Sequence, residues 1–189
     1  TIECDCFVLI STVDVFKSSL GATEATPIDE TGLQPYGLHR RMLEAFVEAH
    51  FKKHLIVRLP GLVGPGLRKN VIFDFLNNNN LHAIDSRGVF QFYPMVNLGY
   101  DIQQALAAEL KVVHLTAEPI SVEELFLQGF GKTFVHPLSG PAASYDMQTI
   151  HASKFGATGH YTYSKRDTIQ AVRAYAQSEP ITLKTTPSP

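Results

Sequence analysis

Two kinds of hydrophobic pattern alternate along this chain. Residues 6–10 (CFVLI) form a continuous apolar run, the pattern of a parallel strand buried on both faces. Residues 17–34 lose periodicity and are rich in Ser, Thr, Gly and Pro, with Glu24, Asp29 and Glu30 among them, so a loop is expected. Across 35–51 the apolar positions Leu38, Met42, Leu43, Phe46, Val47 and Phe51 recur at helical spacing. Pro35 suits the first turn of that helix, where a missing N–H costs nothing. Residues 54–59 predict a second buried strand, and 61–66 a glycine-rich turn into a helix near 67–76 that ends in the polar run 77–80. Residues 82–85 and 89–93 flank Ser-Arg-Gly and predict a small hairpin. Asn97 is an N-cap candidate for a helix to about Leu110, with a short strand at 112–115 beyond it. Ser121 opens Ser-Val-Glu-Glu, a capping-box pattern that predicts a helix over 122–129. After a loop containing Pro137, Gly140 and Pro141, helices are expected near 147–154 and 165–177, and the Pro/Thr/Ser-rich tail 182–189 is expected to be disordered.

Composition narrows this picture. With 189 residues, 44% apolar and 18% charged, the chain suits one soluble domain, or one domain with a small lobe. A net charge of -2 gives no electrostatic case for nucleic acid or an anionic membrane as partner. The apolar runs are far shorter than the ~20 residues that span a bilayer. The first residues lack the basic start and apolar segment of a signal peptide, so a cytoplasmic protein with Cys4 and Cys6 reduced is expected. No His/Cys cluster has ligand spacing, and no metal site is expected. Asp14 and Asp85 lack a carboxylate partner at acid–base spacing and are read as solvated strand-end or turn residues. His39 sits one residue before Arg40, about 100° around the helix from it, and is read as a surface residue.

Candidate chemistry is concentrated in the first quarter of the chain. The first apolar run ends in the hydroxyls of Ser11 and Thr12, and Tyr36 and Arg40, four apart, share one helix face. A phenol with an ordinary pKa near ~10 needs a neighbouring positive charge to move a proton readily at neutral pH. Hydroxyl, phenol and guanidinium together make a set for moving a proton on or off a carbonyl oxygen. The Gly-x-x-Gly-x-Gly turn at 61–66, with Asp85 further on, is not read as a phosphate loop. Pro65 removes an N–H that such a loop would use, and Pro60 breaks the strand-to-helix turn.

The order Ser11-Thr12-Val13-Asp14-Val15-Phe16, then Tyr36-x-x-x-Arg40, then Arg58-Leu59-Pro60-Gly61-Leu62-Val63-Gly64-Pro65-Gly66 resembles the extended short-chain dehydrogenase/reductase family of sugar-nucleotide epimerases, dehydratases and dehydrorhamnose reductases. Two departures are Arg40, where the family has Lys, and the lack of a glycine-rich nucleotide loop upstream of Thr12. The resemblance implies an α/β fold: the C-terminal part of a Rossmann-like parallel sheet flanked by helices, with a small mixed substrate lobe. The sheet would come from 1–70 and 95–117 and the lobe from 71–94 and 118–181, within a longer polypeptide. It further implies that Thr12, Tyr36 and Arg40 are catalytic, that Ser11, Arg40, Pro60, Gly61, Leu62 and Val63 line an NAD or NADP cofactor, and that Lys69 and Asn70 face a nucleotide-sugar-like substrate. Thr12 would bond the substrate oxygen, Tyr36 would pass the proton, and Arg40 would hold the nicotinamide ribose and favour the tyrosinate. Guanidinium supplies that charge without the compact geometry of an ammonium, so weaker or altered catalysis is expected. Relatives commonly pair through the Tyr36 helix, so a homodimer is one assembly the resemblance allows, with the oligomeric state left open. The alternative is a truncated or non-catalytic family member with a binding or assembly role.

Overall fold

A computed structural model describes residues 3–181; the tail 182–189, and with it the expected disorder, lies outside them. In chain order the elements are β1 (Phe7–Thr12), α1 (Pro35–His50), β2 (His54–Leu59), β3 (Gly61–Val63), α2 (Val71–Leu76), β4 (Val89–Phe90), β5 (Phe92–Pro94), α3 (Leu98–Ala107), β6 (Val112–His114), β7 (Ile120–Ser121), α4 (Val122–Phe130) and α5 (Lys165–Ser178), with short 3-10 turns between them. β1, β2 and β6 form a parallel sheet in that order, in register from Phe7 opposite His54 to Thr12 opposite Leu59.

Period-two alternation on β2 explains why helices cover both faces. Leu55, Val57 and Leu59 face Ala105 of α3, while Ile56 and Leu9 face Val47 of α1. β1 is an edge strand among the described residues, not the doubly paired strand its apolar run predicts, and Ile10 is 39% exposed. A second core, built on Ile72, Phe92, Ile120, Leu125, Phe126 and Val172, packs α4 against α5 and β7, and α5 against β3 and β5. Both helices start on serine caps. Ser121 Oγ accepts from the Glu124 N–H, and Ser164 with Asp167 completes a reciprocal capping box.

Four expectations are corrected. Residues 82–85 and 89–93 make no hairpin: β4 pairs antiparallel with β7, and β5 pairs in parallel with β3. Part of the expected turn at 61–66 is therefore the strand β3. The helix expected from 67 begins only at Val71, because the Asn70 side chain accepts from the N–H groups of Ile72 and Phe73 and sets the start there. Residues 147–154 are not helical apart from a 3-10 turn at Ala152–Phe155. Tertiary partners take the N–H groups a helix would need: Met147 donates to Gln91 Oε1, Gln148 to the Ala22 carbonyl and Thr149 to the His160 carbonyl.

A buried ionic chain links the sheet to α1. Arg58 on β2 donates to both Glu44 oxygens, at 3.0 and 2.8 Å, and to His114 Nε2 at 3.2 Å. Glu44 is fully buried and takes a further bond from Arg41. Burial alone would raise its carboxyl, but bonds from and the charge of Arg58, with Ser11 and Arg41, hold it below the usual range. His114 Nδ1 donates to the Gln148 carbonyl, so Nε2 must be the bare nitrogen that accepts from Arg58. A neutral imidazole fits its surroundings, since burial lowers its pKa to about 4. On the far side Glu24 accepts from the His114 N–H, Thr149 Oγ1 and the Ile150 N–H, fixing the 17–34 loop to β6.

This arrangement makes the fold acid-sensitive. The His114 contribution is complete above about pH 6.5 and is lost as pH falls toward about 4, because there the unfolded chain takes up a proton that the folded one refuses. Urea unfolding at pH 7.5 and pH 4.5 is expected to show a loss of about 2–3 kcal/mol. In His114→Gln the loss over this window is expected to be smaller. An equal loss in both proteins would exclude His114 as its source.

Candidate functional site

Ligand sites in open α/β sheets lie beyond the carboxyl ends of the strands. Here a cleft of about 600 Å³ sits at the ends of β1 and β2, within the range of small-molecule pockets. Its lining includes Thr12 at the end of β1 and Asp14 beyond it, Tyr36 in the first turn of α1, Pro60, Gly61 and Leu62 after β2, and Lys69 and Asn70 ahead of α2. Phe90, Gln91, Phe92 and Tyr145 close the opposite wall. Seven of the residues singled out from the sequence thus converge: Thr12, Tyr36, Pro60, Gly61, Leu62, Lys69 and Asn70.

Three others lie elsewhere. Ser11 points to the opposite side of β1, where its buried hydroxyl lies near Glu44 and has no hydrogen bond of ordinary geometry among the described residues. Val63 is fully buried in the second core. Arg40 does not line the cleft; its guanidinium sits 5.4 Å from the Tyr36 ring centroid, on the ring face.

A close approach of backbone to backbone positions the phenol. A Cβ on Gly37 would lie 2.0 Å from the Asp14 carbonyl oxygen, so only glycine lets the first turn of α1 rest on the 13–15 turn. Tyr36 is thereby held beside Asp14 yet remains 54% exposed, and its hydroxyl makes no hydrogen bond among the described residues. Thr12 is used differently: its Oγ1 donates to Asp14 Oδ2 at 3.0 Å and accepts from the Asp14 N–H at 3.2 Å. Asn70 adopts φ 105° and ψ 174°, a region costly for a residue with a side chain. Its amide offsets that strain by capping α2 and donating to the Leu62 carbonyl at 2.8 Å, which ties together the two loops under Lys69.

Residues that sequence reasoning left out complete the wall. Gln91 is fully buried; Nε2 donates to Thr116 Oγ1 and to the carbonyls of Ala117 and Met147, and Oε1 accepts from the Met147 N–H. A lone amide inside the apolar run VFQFY was the legible signal for such a hub. Asp14 stood in the quoted motif as a solvated turn residue, and Tyr145 lies in a loop with no pattern around it. Among the described residues no group of three or more His, Cys, Asp or Glu is placed to hold a metal ion, and no helix is long and apolar enough to cross a membrane.

The parallel sheet, its flanking helices and the lobe over its carboxyl edge define an extended short-chain dehydrogenase/reductase-like fold, of which the C-terminal portion is present. Among solved structures the chain is similar to the Bordetella bronchiseptica enzyme WbmG in complex with NAD and UDP, with a TM-score of 0.71 and 18% identity over 94% of this chain and 60% of that one. It is also similar to dTDP-glucose 4,6-dehydratase from Bacillus anthracis in complex with NAD (TM-score 0.65, 18% identity, 90% of this chain and 60% of that one). A third is dTDP-4-dehydrorhamnose reductase from the same organism in complex with NADP (TM-score 0.66, 18% identity, 91% and 64%). The chain thus spans about three fifths of the length of these enzymes. No protein-family model and no curated protein matches the sequence.

Gly37→Ala separates two opposed effects. Helix propensity alone would stabilise α1 by about 1 kcal/mol, whereas the clash with Asp14 should cost about 3 kcal/mol or more. A net loss of about 2 kcal/mol in chemical denaturation is expected. Unchanged or increased stability would show that α1 is free to shift.

Proposed function

We propose that this chain carries the proton-transfer side of an NAD(P)-dependent oxidoreductase or epimerase acting on a nucleotide sugar or a similar carbonyl/alcohol substrate. The observation that carries this reading is the unpaired Tyr36 hydroxyl in the cleft, with the Arg40 cation on its ring. Similar structures hold NAD or NADP, and one holds UDP, which supports the cofactor and substrate classes.

The cleft fits the nicotinamide end of such a cofactor. Pro60, Gly61 and Leu62 line it beside apolar Leu67 and Val71, and Tyr36 brings a hydroxyl that no group among the described residues uses. When bound, the nicotinamide gives or takes the hydride at the substrate carbon. The chain's own groups handle the oxygen: Tyr36 takes its proton during oxidation and returns it during reduction, while Arg40 offsets the negative charge left on the phenol. Thr12 joins by turning its hydroxyl from Asp14 to the substrate oxygen. Lys69 at the rim supplies a positive charge for an anionic part of the substrate.

Tyr36→Phe should lower kcat by about 10²–10⁴-fold with little change in KM. Unaltered turnover would remove Tyr36 from the chemistry. We further propose self-association through α1, whose outer face exposes Met42 at 59%, Leu43 at 39% and Phe46 at 51%. In sedimentation velocity the protein is expected to run as a dimer and Phe46→Glu as a monomer; monomeric wild type would contradict this.

A further inference from the structure

The cleft does not end at Tyr36. A second cavity of about 690 Å³, lined in part by Lys17, Ser18, Ser19, Gln34 and Ser144, shares Asp14, Tyr36 and Tyr145 with it. These three residues form the waist between the two spaces. They arrive from three separate segments: the turn after β1, the start of α1, and the loop running over β4.

Tyr145 is held firmly at this waist. Its N–H donates to the Val89 carbonyl at 3.0 Å, and its ring stacks on Phe90 with centroids 5.5 Å apart and 24° between planes. Its hydroxyl, like that of Tyr36, makes no hydrogen bond among the described residues, whereas Tyr93, Tyr161 and Tyr163 each donate to a carboxylate. Burial, and then the charge of Asp14, push the Tyr145 phenol up, so it keeps its proton at neutral pH and is a donor. Asp14 accepts from Thr12 and retains further acceptor capacity. Two unused donors therefore flank one acceptor, the first donor on the sheet side and the second on the lobe side.

We propose that Tyr145 contacts the substrate, and that with Tyr36 and Asp14 it selects a substrate bearing oxygens on adjacent carbons, a vicinal diol or α-hydroxy carbonyl. This rests on the assignment of Tyr36 to the reacting oxygen. The neighbouring hydroxyl then donates to Asp14 and accepts from Tyr145, a double role that a carbonyl or ether oxygen cannot fill. A substrate lacking that hydroxyl leaves both protein groups unpaired in a partly dry site, which is how polar pockets reject deoxy analogues.

The test is calorimetric titration of wild type and Tyr145→Phe with UDP-glucose and with its 2-deoxy, 3-deoxy and 6-deoxy forms. Loss of the Tyr145 hydroxyl breaks no bond among the described residues, so the variant should fold as wild type does, which its melting curve checks. Tyr145→Phe is expected to weaken UDP-glucose binding by about 10- to 100-fold. The penalty should vanish for the 2-deoxy or the 3-deoxy form, whichever wild type itself binds more weakly, and persist for the 6-deoxy form, whose missing hydroxyl has no hydroxyl on the next carbon. Equal affinity of variant and wild type for UDP-glucose, the same penalty for every sugar, or no binding of any probe by wild type would overturn the proposal. Tyr36→Phe turnover, measured in parallel, separates the two assignments. If Tyr36→Phe is inactive while Tyr145→Phe binds UDP-glucose as wild type does, the proton-transfer reading stands and the Tyr145 contact falls.

Discussion

The paired bonds from Arg58 to Glu44 govern the placement of everything around the cleft. They run from the middle strand of the sheet to the middle of α1, with both partners buried. Desolvating two charges is expensive, so such a pair adds little net stability compared with hydrocarbon of the same shape. Its effect is on geometry, because removing either partner strands the other and costs about 3–5 kcal/mol. α1 can therefore neither slide nor rotate on β1 and β2 without breaking it. His114 on the third strand extends the same constraint across the sheet, and Glu24 carries it to the loop that borders the second cavity.

A helix fixed in that way delivers its first turn to one place. Gly37 sets the distance to the 13–15 turn, and Tyr36 comes to lie at the strand ends beside Asp14. The second lobe is joined to this frame through Gln91, whose amide binds two backbone segments at once, at Ala117 and Met147, and so fixes the wall from Phe90 to Phe92 opposite the phenol. The cleft is a consequence of two independently anchored walls. Thr12 gains an added role, since its hydroxyl holds the carboxylate of Asp14, a residue that lines both cavities.

Much of the frame was legible in the sequence because it rests on local rules. The helical spacing of Leu38, Met42 and Val47, the apolar run of β2 and the Ser121 cap each signal an element without reference to the rest of the chain. The set Thr12, Tyr36 and Pro60 to Leu62 was legible from motif order. What escaped depends on distant partners. The run from Val89 to Pro94 is β-prone, but nothing local says that its two halves pair with β7 and β3. The stretch after Met147 has helical composition, yet its N–H groups go to Gln91, Ala22 and His160. Asp14 and Tyr145 appear ordinary in one dimension and meet only through the close contact at Gly37 and the stacking on Phe90.

The central claim is that the phenol fixed in this way exchanges its proton with an oxygen whose carbon gains or loses a hydride in the same cleft. The most direct measurement is mass spectrometry of product formed when the protein is incubated with a 4-keto nucleotide sugar and NADH or NADPH deuterated at both C4 positions. The account predicts one deuterium on the carbon that becomes the alcohol. Product without deuterium, or no product with either dinucleotide, would contradict it.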